Sequence, residues 1–166
     1  GLGIPAEPLF RSASKGASVL SKLLEYAENI KQVNLKGNQI SDNGCESLNK
    51  GIISKTKLEY LNLNSNRFGN VGLLAINELL FKNEKLSYLN VGGNRYAWDG
   101  IISLMSALKT TNKSLEILNM DEPDYKISEQ HFFNHIGKMF LSNNTLKKLS
   151  LKFNKIRWEG INIIIY

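Results

Sequence analysis

This sequence has little cysteine or histidine and no long apolar run. A single cysteine, Cys45, excludes an internal disulfide and fits a reducing compartment. No apolar run approaches the roughly 18 residues that a membrane-spanning helix needs. The terminal "INIIIY" is far too short for that purpose. The sequence therefore predicts an intracellular protein with no membrane segment.

Motifs for catalysis and metal binding are also scarce. His131 and His135 stand four residues apart, which is the spacing of a zinc pair on a helix, but Phe132 replaces the glutamate of H-E-x-x-H. Without a third ligand we interpret them as a structural or surface pair. Cys45 follows a helix-start glycine, where the pKa of a thiol can be lowered, but no partnering base is evident, so we interpret it as packed. We predict no enzyme, metal, cofactor or small-molecule substrate.

The net charge is +6, and basic residues gather toward the end of the chain: Lys147, Lys148, Lys152, Lys155 and Arg157. Such clusters can bind nucleic acid, acidic proteins or anionic lipid. The interleaved aromatic residues of a single-strand binding platform are missing, apart from Phe153. We interpret the lysines first as a solvated surface and second as a site for an acidic protein partner, with nucleic acid the least favoured.

An internal repeat dominates the sequence. Its pattern is L-x-x-L-x-L-x-x-N-x-φ-x-x-x-G-x-x-x-φ, where φ is apolar, and Leu115 starts a degenerate copy. Repeats start at Ile30, Leu58, Leu86, Leu115 and Leu146, with steps of 28, 28, 29 and 31 residues. The first half alternates like a strand with one buried face, and the second half has helical spacing. Such a unit cannot cover its own apolar face, so the units must stack.

We predict one domain over residues 1–166. Residues 1–29 are interpreted as a partial preceding repeat, with a helix in 11–29, and Pro5 and Pro8 predict an irregular start. Repeats begin near 30, 58, 86, 115 and 146, and the last is truncated. "GINIIIY" aligns with the start of a final helix. From these alignments we expect a piece of a longer repeat protein.

The passage from strand to helix carries a family motif. "NQISDNG" from Asn38 to Gly44 matches N-x-φ-x-D-x-G, whereas Trp98 and Trp158 occupy the aspartate position in later copies. The pattern resembles the ribonuclease-inhibitor-like leucine-rich-repeat family, which includes ribonuclease inhibitor, innate immune receptors, tropomodulin and the Ran GTPase-activating protein. The resemblance implies an α/β, right-handed leucine-rich-repeat solenoid. It would be a curved horseshoe segment with parallel strands on the concave face and helices on the convex face.

Position nine of the repeat holds an asparagine for which we predict a structural role. The residues are Asn38, Asn66, Asn94 and Asn154. Where a strand turns out of a sheet, backbone groups lose their ladder partners, and a buried carboxamide can replace them as both donor and acceptor. We prefer this role to ligand binding.

Partner binding is predicted on the concave face, where positions three, five and seven point away from the core. The predicted partner-binding residues are Gln32, Asn34, Lys36, Tyr60, Asn62, Asn64, Tyr88, Asn90, Asn119, Asp121, Glu122, Lys148 and Lys152. Two alternatives stay open for the asparagines at position five. Their amides either hydrogen-bond to one another from strand to strand or contact a partner. Tyr60 and Tyr88 are expected either to contact a partner or to pack across strands.

The fourth repeat departs from the pattern. Pro123 takes the asparagine position in "MDEPDYKIS", where Asp121, Glu122 and Asp124 form an acidic group. It is either a tolerated surface insertion or a loop at the concave rim that binds a basic or polar partner.

These features favour a non-catalytic scaffold or adaptor that binds protein partners, within an assembly such as the cytoskeleton or cilium. The first alternative is a regulatory leucine-rich-repeat module of a GTPase activator or an immune-type sensor. Binding of nucleic acid is the weakest alternative. The expected location is the cytoplasm, including cytoskeleton or cilium, or the nucleus.

Overall fold

Helices and strands alternate along the chain from the first described helix to the fifth strand, and a sixth strand follows. The computed structural model describes residues 13–53, 55, 57–121, 129–152 and 162–164. In chain order the elements are α1 (Ala13–Tyr26), β1 (Gln32–Asn34), α2 (Asp42–Ile52), β2 (Tyr60–Asn62), α3 (Asn70–Lys82), β3 (Tyr88–Asn90), α4 (Trp98–Thr110), β4 (Ile117–Asn119), α5 (Glu129–Phe140), β5 (Lys148–Ser150) and β6 (Asn162–Ile164). Each strand from β1 to β5 covers positions three to five of its repeat.

The strands form one sheet in chain order. Strands β1 to β5 are parallel, and each pairs with the next at equivalent positions of the repeat, so that Tyr60 faces Tyr88 and Tyr88 faces Ile117. The helices pack in the same order, each against its neighbours in the sequence. Strands are about 4.8 Å apart while packed helices need about 8–10 Å, so the stack curves with its strands inside. This confirms the predicted leucine-rich-repeat solenoid.

The core lies between the sheet and the helices. Positions one, four and six of each strand half point inward, as at Leu58, Leu61 and Leu63, which are fully buried. The helices contribute their own apolar stripe, for which Leu73 and Ile76 of α3 are examples. The side chains join one continuous cluster across the repeats, so neighbouring repeats stabilise one another.

The aspartate position of the family motif links each repeat to the next. Oδ1 of Asp42 accepts the backbone N–H groups of Gly69 at 2.7 Å and Gly72 at 2.6 Å, at the start of α3. Asn70 takes the equivalent position one repeat later and accepts the N–H of Ala97. Trp98, in the third copy, instead packs edge-on against His135, with ring centroids 5.6 Å apart. The motif position is therefore structural.

The expected final helix is not found at residues 162–164. Asn162–Ile164 forms β6, which pairs antiparallel with β5 and places Ile164 opposite Lys148. Consecutive isoleucines favour strand over helix because their branched side chains restrict rotation. The pairing also covers the outer edge of β5. Among the described residues, no helix combines the length and apolar character that crossing a membrane would require.

Candidate protein-binding face

The concave face is built by side chains that the parallel register places side by side. Position three of successive strands forms one row across the sheet, in which each residue lies about 4.8 Å from the next. The row reads Gln32, Tyr60, Tyr88, Ile117 and Lys148. Its centre is aromatic and aliphatic, and its two ends are polar. The predicted row therefore exists as a continuous surface.

Tyr60 and Tyr88 are stacked on one another. Their ring centroids are 4.3 Å apart, and the ring planes differ by 9°. Each hydroxyl accepts a bond from the amide two residues along its own strand, from Asn62 at 3.3 Å and from Asn90 at 3.4 Å. Both rings are half-buried. Cross-strand packing is thus present, and the partly exposed rings also form a rigid aromatic platform.

Burial raises the pKa of Tyr60, an effect that the hydrogen bond from Asn62 partly opposes. A folded-state pKa above the unfolded value, which is about 10 for tyrosine, contributes stability that is present below that pH. This stability is lost as the pH rises through the folded pKa. As the pH rises from about 9 to about 11.5, we expect the free energy of unfolding to fall less in Tyr60→Phe than in the parent protein, as measured by urea denaturation. Parallel stability curves for the two proteins would contradict this expectation.

The asparagine row at position five is bonded locally. In each of Asn34, Asn62, Asn90 and Asn119, Oδ1 accepts the backbone N–H two residues later, at 3.2, 3.0, 3.0 and 2.9 Å. The expected amide-to-amide bonds up the sheet are replaced by these contacts, because the nearest unpaired N–H lies in the same strand half. Asn62 and Asn90 are only 8% exposed. Their amides therefore offer a partner little surface.

Charge on this face is unevenly neutralised. Two ion pairs stand next to it at position two of the repeats, between Lys31 and Glu59 at 3.1 Å and between Lys147 and Glu116 at 2.7 Å. Lys36, Lys148 and Lys152 are exposed. Within the described part of the chain, Lys36 and Lys148 make no ion pair. They stand near opposite ends of the sheet, in the repeats of β1 and β5.

Asp121 connects the fourth and fifth repeats. Its Oδ1 accepts Oγ–H of Ser150 and the backbone N–H of Lys152, both at 2.7 Å. The residue is half-buried, and its carboxylate links the two repeats through these hydrogen bonds. The rest of the acidic group, Glu122 and Asp124, lies outside the described residues. The prediction of a rim loop that binds a partner therefore stays a prediction.

Asn66 at position nine joins two repeats through four hydrogen bonds, of which three are buried. Its Oδ1 accepts the N–H groups of Asn38 at 3.0 Å and Ile40 at 2.9 Å, and its Nδ2 donates to the carbonyls of Leu35 at 2.9 Å and Leu63 at 2.8 Å. Asn94 likewise donates to the carbonyl of Leu63, in the preceding repeat. Asn38 is half-buried and donates to its own strand half, and Asn154 lies outside the described residues.

A second series of buried asparagines, which the repeat pattern did not predict, also links the repeats. Asn83, Asn112 and Asn143 stand three residues before the starting leucines of their repeats and are 2–5% exposed. Each Nδ2 donates to a carbonyl of the preceding repeat, and each Oδ1 accepts the N–H of the leucine that follows. Lys55 takes this place in the second repeat, where its Nζ donates to the carbonyl of Glu25 at 2.7 Å. The recurring N-x-x-L spacing could have revealed the series.

The residues considered for chemistry lie apart from the concave row. Cys45 is fully buried, and burial raises the pKa of its thiol far above the usual range, with further contributions from Asp42 and Glu46. His135 contacts Trp98, while the side chain of His131 is outside the described set. The described residues contain no group of histidine, cysteine, aspartate and glutamate side chains that could hold a metal ion.

Comparisons with known proteins agree with this geometry. A family model described as Leucine Rich repeat matches residues 26–48, 54–76 and 142–161. Among solved structures, 54 chains match. One is described as Leiomodin-1 Actin-Binding Site 2 (ABS2). It is 20% identical, with a TM-score of 0.71, over 89% of this chain and 82% of that chain. No curated protein sequence matches this chain.

The matched repeats and the shared architecture support a leucine-rich-repeat family, and folds of this kind generally act as protein-binding modules. At 20% identity the structural likeness concerns the fold. The ribonuclease-inhibitor-like subtype stays a prediction.

Proposed function

We propose that this solenoid of leucine-rich repeats is a non-catalytic scaffold or adaptor, whose protein partner binds the concave strand face. The observation that carries the proposal is the stacked pair Tyr60 and Tyr88 at the centre of that face. Tyrosine is enriched among the residues that dominate binding energy at protein interfaces. A half-buried aromatic pair on a sheet is therefore well suited to anchor a protein partner.

Preorganisation supports the same function. Tyr60 and Tyr88 stand on strands, each is bonded to an asparagine, and each ring restrains the other. The sheet beneath them is held by buried amides such as Asn66, which link one repeat to the next. Fewer side-chain rotamers are lost when a partner docks on a surface that is already ordered. The concave face can thus bind without first rearranging.

A cytoskeletal partner inside the cell is the form of this proposal that we favour. The matched structure is described as an actin-binding site of leiomodin-1, and it has the same repeat architecture over most of its length. Actin is accordingly the first partner to test. The face proposed for the contact remains the concave sheet.

The binding test compares two aromatic pairs. Tyr60→Ala combined with Tyr88→Ala is expected to weaken actin binding by about 30-fold, because losing an interface anchor costs about 2 kcal/mol. The matched control is Tyr26→Ala combined with Phe81→Ala, two exposed aromatics on helices α1 and α3. We expect the control to bind like the parent protein in a co-sedimentation assay.

Two results would count against the proposal. Equal loss in both double variants would place the contact elsewhere than the concave face. If actin is not bound, the partner is wrong, and the face is then tested by a photo-cross-linker at Ile117 on the sheet or at Glu46 on α2, both introduced into the whole chain. Protein adducts from position 46 and not from position 117 would contradict a concave interface.

A further inference from the structure

We propose that the concave face binds an acidic segment of its protein partner, which lies diagonally across the sheet. An apolar side chain of the segment rests on the stacked pair Tyr60 and Tyr88, and its acidic groups meet Lys36 and Lys148 at the two ends of the diagonal. The inference rests on the proposed function and deepens it, because it names the chemistry of the partner.

The charges on the face support an acidic partner. Lys31 and Lys147 are already neutralised by Glu59 and Glu116. Lys36 and Lys148 are exposed and make no ion pair with any other residue that the structure describes. Complementary charge at an interface steers the encounter and fixes the register of the partner.

Asp121 is the acidic group described at positions three, five and seven of this face. Its Oδ1 is occupied by Ser150 and the backbone of Lys152. It stands at position seven of its repeat, whereas its neighbour Lys148 stands at position three. The carboxylate therefore leaves Lys148 available at its end of the diagonal.

The diagonal crosses β3 at position five, and the rings of Tyr60 and Tyr88 reach toward this point from position three, where their hydroxyls contact the amides two residues along each strand. This centre is suited to an apolar side chain. Tyr60, Tyr88 and Ile117 are neighbours in the register and are half-buried. The oxygens of Asn62 and Asn90 are already used by backbone N–H groups, and their nitrogens approach the tyrosine hydroxyls. Few free hydrogen-bonding groups remain for a polar ligand at this point. A nucleic-acid base cannot enter between the rings, since their centroids are only 4.3 Å apart.

The distance between the lysines sets the length of the segment. From β1 to β5 there are four strand spacings, which is about 19 Å, and position three is separated from position seven by four residues, which is about 13 Å. The diagonal from Lys36 to Lys148 is then about 23 Å, the length of about seven extended residues. A segment that matches this layout has two acidic groups about seven residues apart, with an apolar residue midway between them.

The test uses the whole chain and labelled nine-residue peptides. The acidic probe carries two glutamates at each end and a central phenylalanine, and the basic probe has lysines in place of the glutamates. At low salt, Lys36→Glu combined with Lys148→Glu is expected to weaken binding of the acidic probe at least about tenfold, and raised salt to weaken binding to the parent protein. The basic probe is expected not to bind. Fluorescence anisotropy measures both, and circular dichroism confirms that the variants fold.

A matched control separates local contacts from general attraction. Lys50→Glu combined with Lys109→Glu changes two exposed lysines on α2 and α4 and gives the same net charge. We expect it to change binding less than twofold. Equal loss in the two double variants would overturn the proposed site, as would tighter binding of a single-stranded oligonucleotide that depends on Lys36 and Lys148.

The outcomes also distinguish this inference from the proposed function. If the acidic probe fails to bind while a cross-linker at Ile117 still captures a protein, the acidic segment is wrong and the concave interface stands. If adducts form only from Glu46 on the helix side, both proposals are wrong.

Discussion

Asn66→Ala is expected to lower the free energy of unfolding by about 3 kcal/mol or more, which is a large part of the stability of an ordinary domain. The carboxamide supplies the acceptor for two backbone N–H groups, at Asn38 and Ile40, and the donor for carbonyls of Leu35 and Leu63. Alanine would remove the side-chain partner of the two N–H groups and of the Leu35 carbonyl in a site where Asn66 is only 6% exposed, while the Leu63 carbonyl would keep its bond from Asn94. Each buried group left unsatisfied costs about 1–3 kcal/mol.

Urea denaturation followed by circular dichroism measures this loss. The control is Asn43→Ala on α2, where the asparagine is exposed. Its expected change is within about 0.5 kcal/mol, as for most surface substitutions. Similar stabilities for Asn66→Ala and Asn43→Ala would show that the buried amide is not needed to join the repeats.

Gly51→Ala is expected to destabilise the protein by about 2 kcal/mol, although alanine is ordinarily the better helix former. Gly51 lies in α2 against α1, and a Cβ built there would come within 2.8 Å of the Cα of Ser21. That neighbour is backbone, which cannot turn aside, so α1 would have to move away from α2. The strain of overpacking typically costs about 1–3 kcal/mol.

Gly137→Ala is the matched control for this prediction. Gly137 lies in α5, and a Cβ at that position would meet nothing within 4 Å. Alanine there is expected to raise stability by up to about 1 kcal/mol, because glycine is the poorer helix former. If Gly51→Ala lowers the stability and Gly137→Ala raises it, the close contact between α1 and α2 is the cause of the loss at position 51. A stabilising effect at position 51 would show that the two helices are not packed so closely.

Local alternation and spacing predicted most of the architecture. The apolar positions of "LEYLNLNSN" were sufficient to identify β2 and to assign Leu58, Leu61 and Leu63 to the core, because side-chain direction alternates along any strand. The constant step between repeats likewise predicted the parallel register of Tyr60 with Tyr88. The prediction for the final segment was wrong. The repeat alignment suggested a helix there, whereas the isoleucines favour the strand β6.

The partners of polar side chains were harder to predict than the fold. For Asn62 and Asn90 the sequence left two alternatives open, mutual amide bonds or contact with a partner, but the oxygen of each accepts the backbone N–H two residues later in its own repeat. Asn83 and its equivalents were missed because an asparagine before a strand looks like an ordinary turn residue. Its importance comes from a carbonyl one repeat away, at Lys55.

What the sequence determined by itself is the repeat: a strand, a helix, an inward apolar set and a stack in chain order. These follow from short periods that each segment carries within itself. Only the tertiary structure decided that Tyr60 and Tyr88 stack and that Asn66 and Asn83 bridge neighbouring repeats. It also decided that Lys36 and Lys148 are exposed in the repeats of β1 and β5 and make no ion pair with any other residue that the structure describes. Such features depend on distances between residues about one repeat or more apart in sequence, which stacking alone brings together.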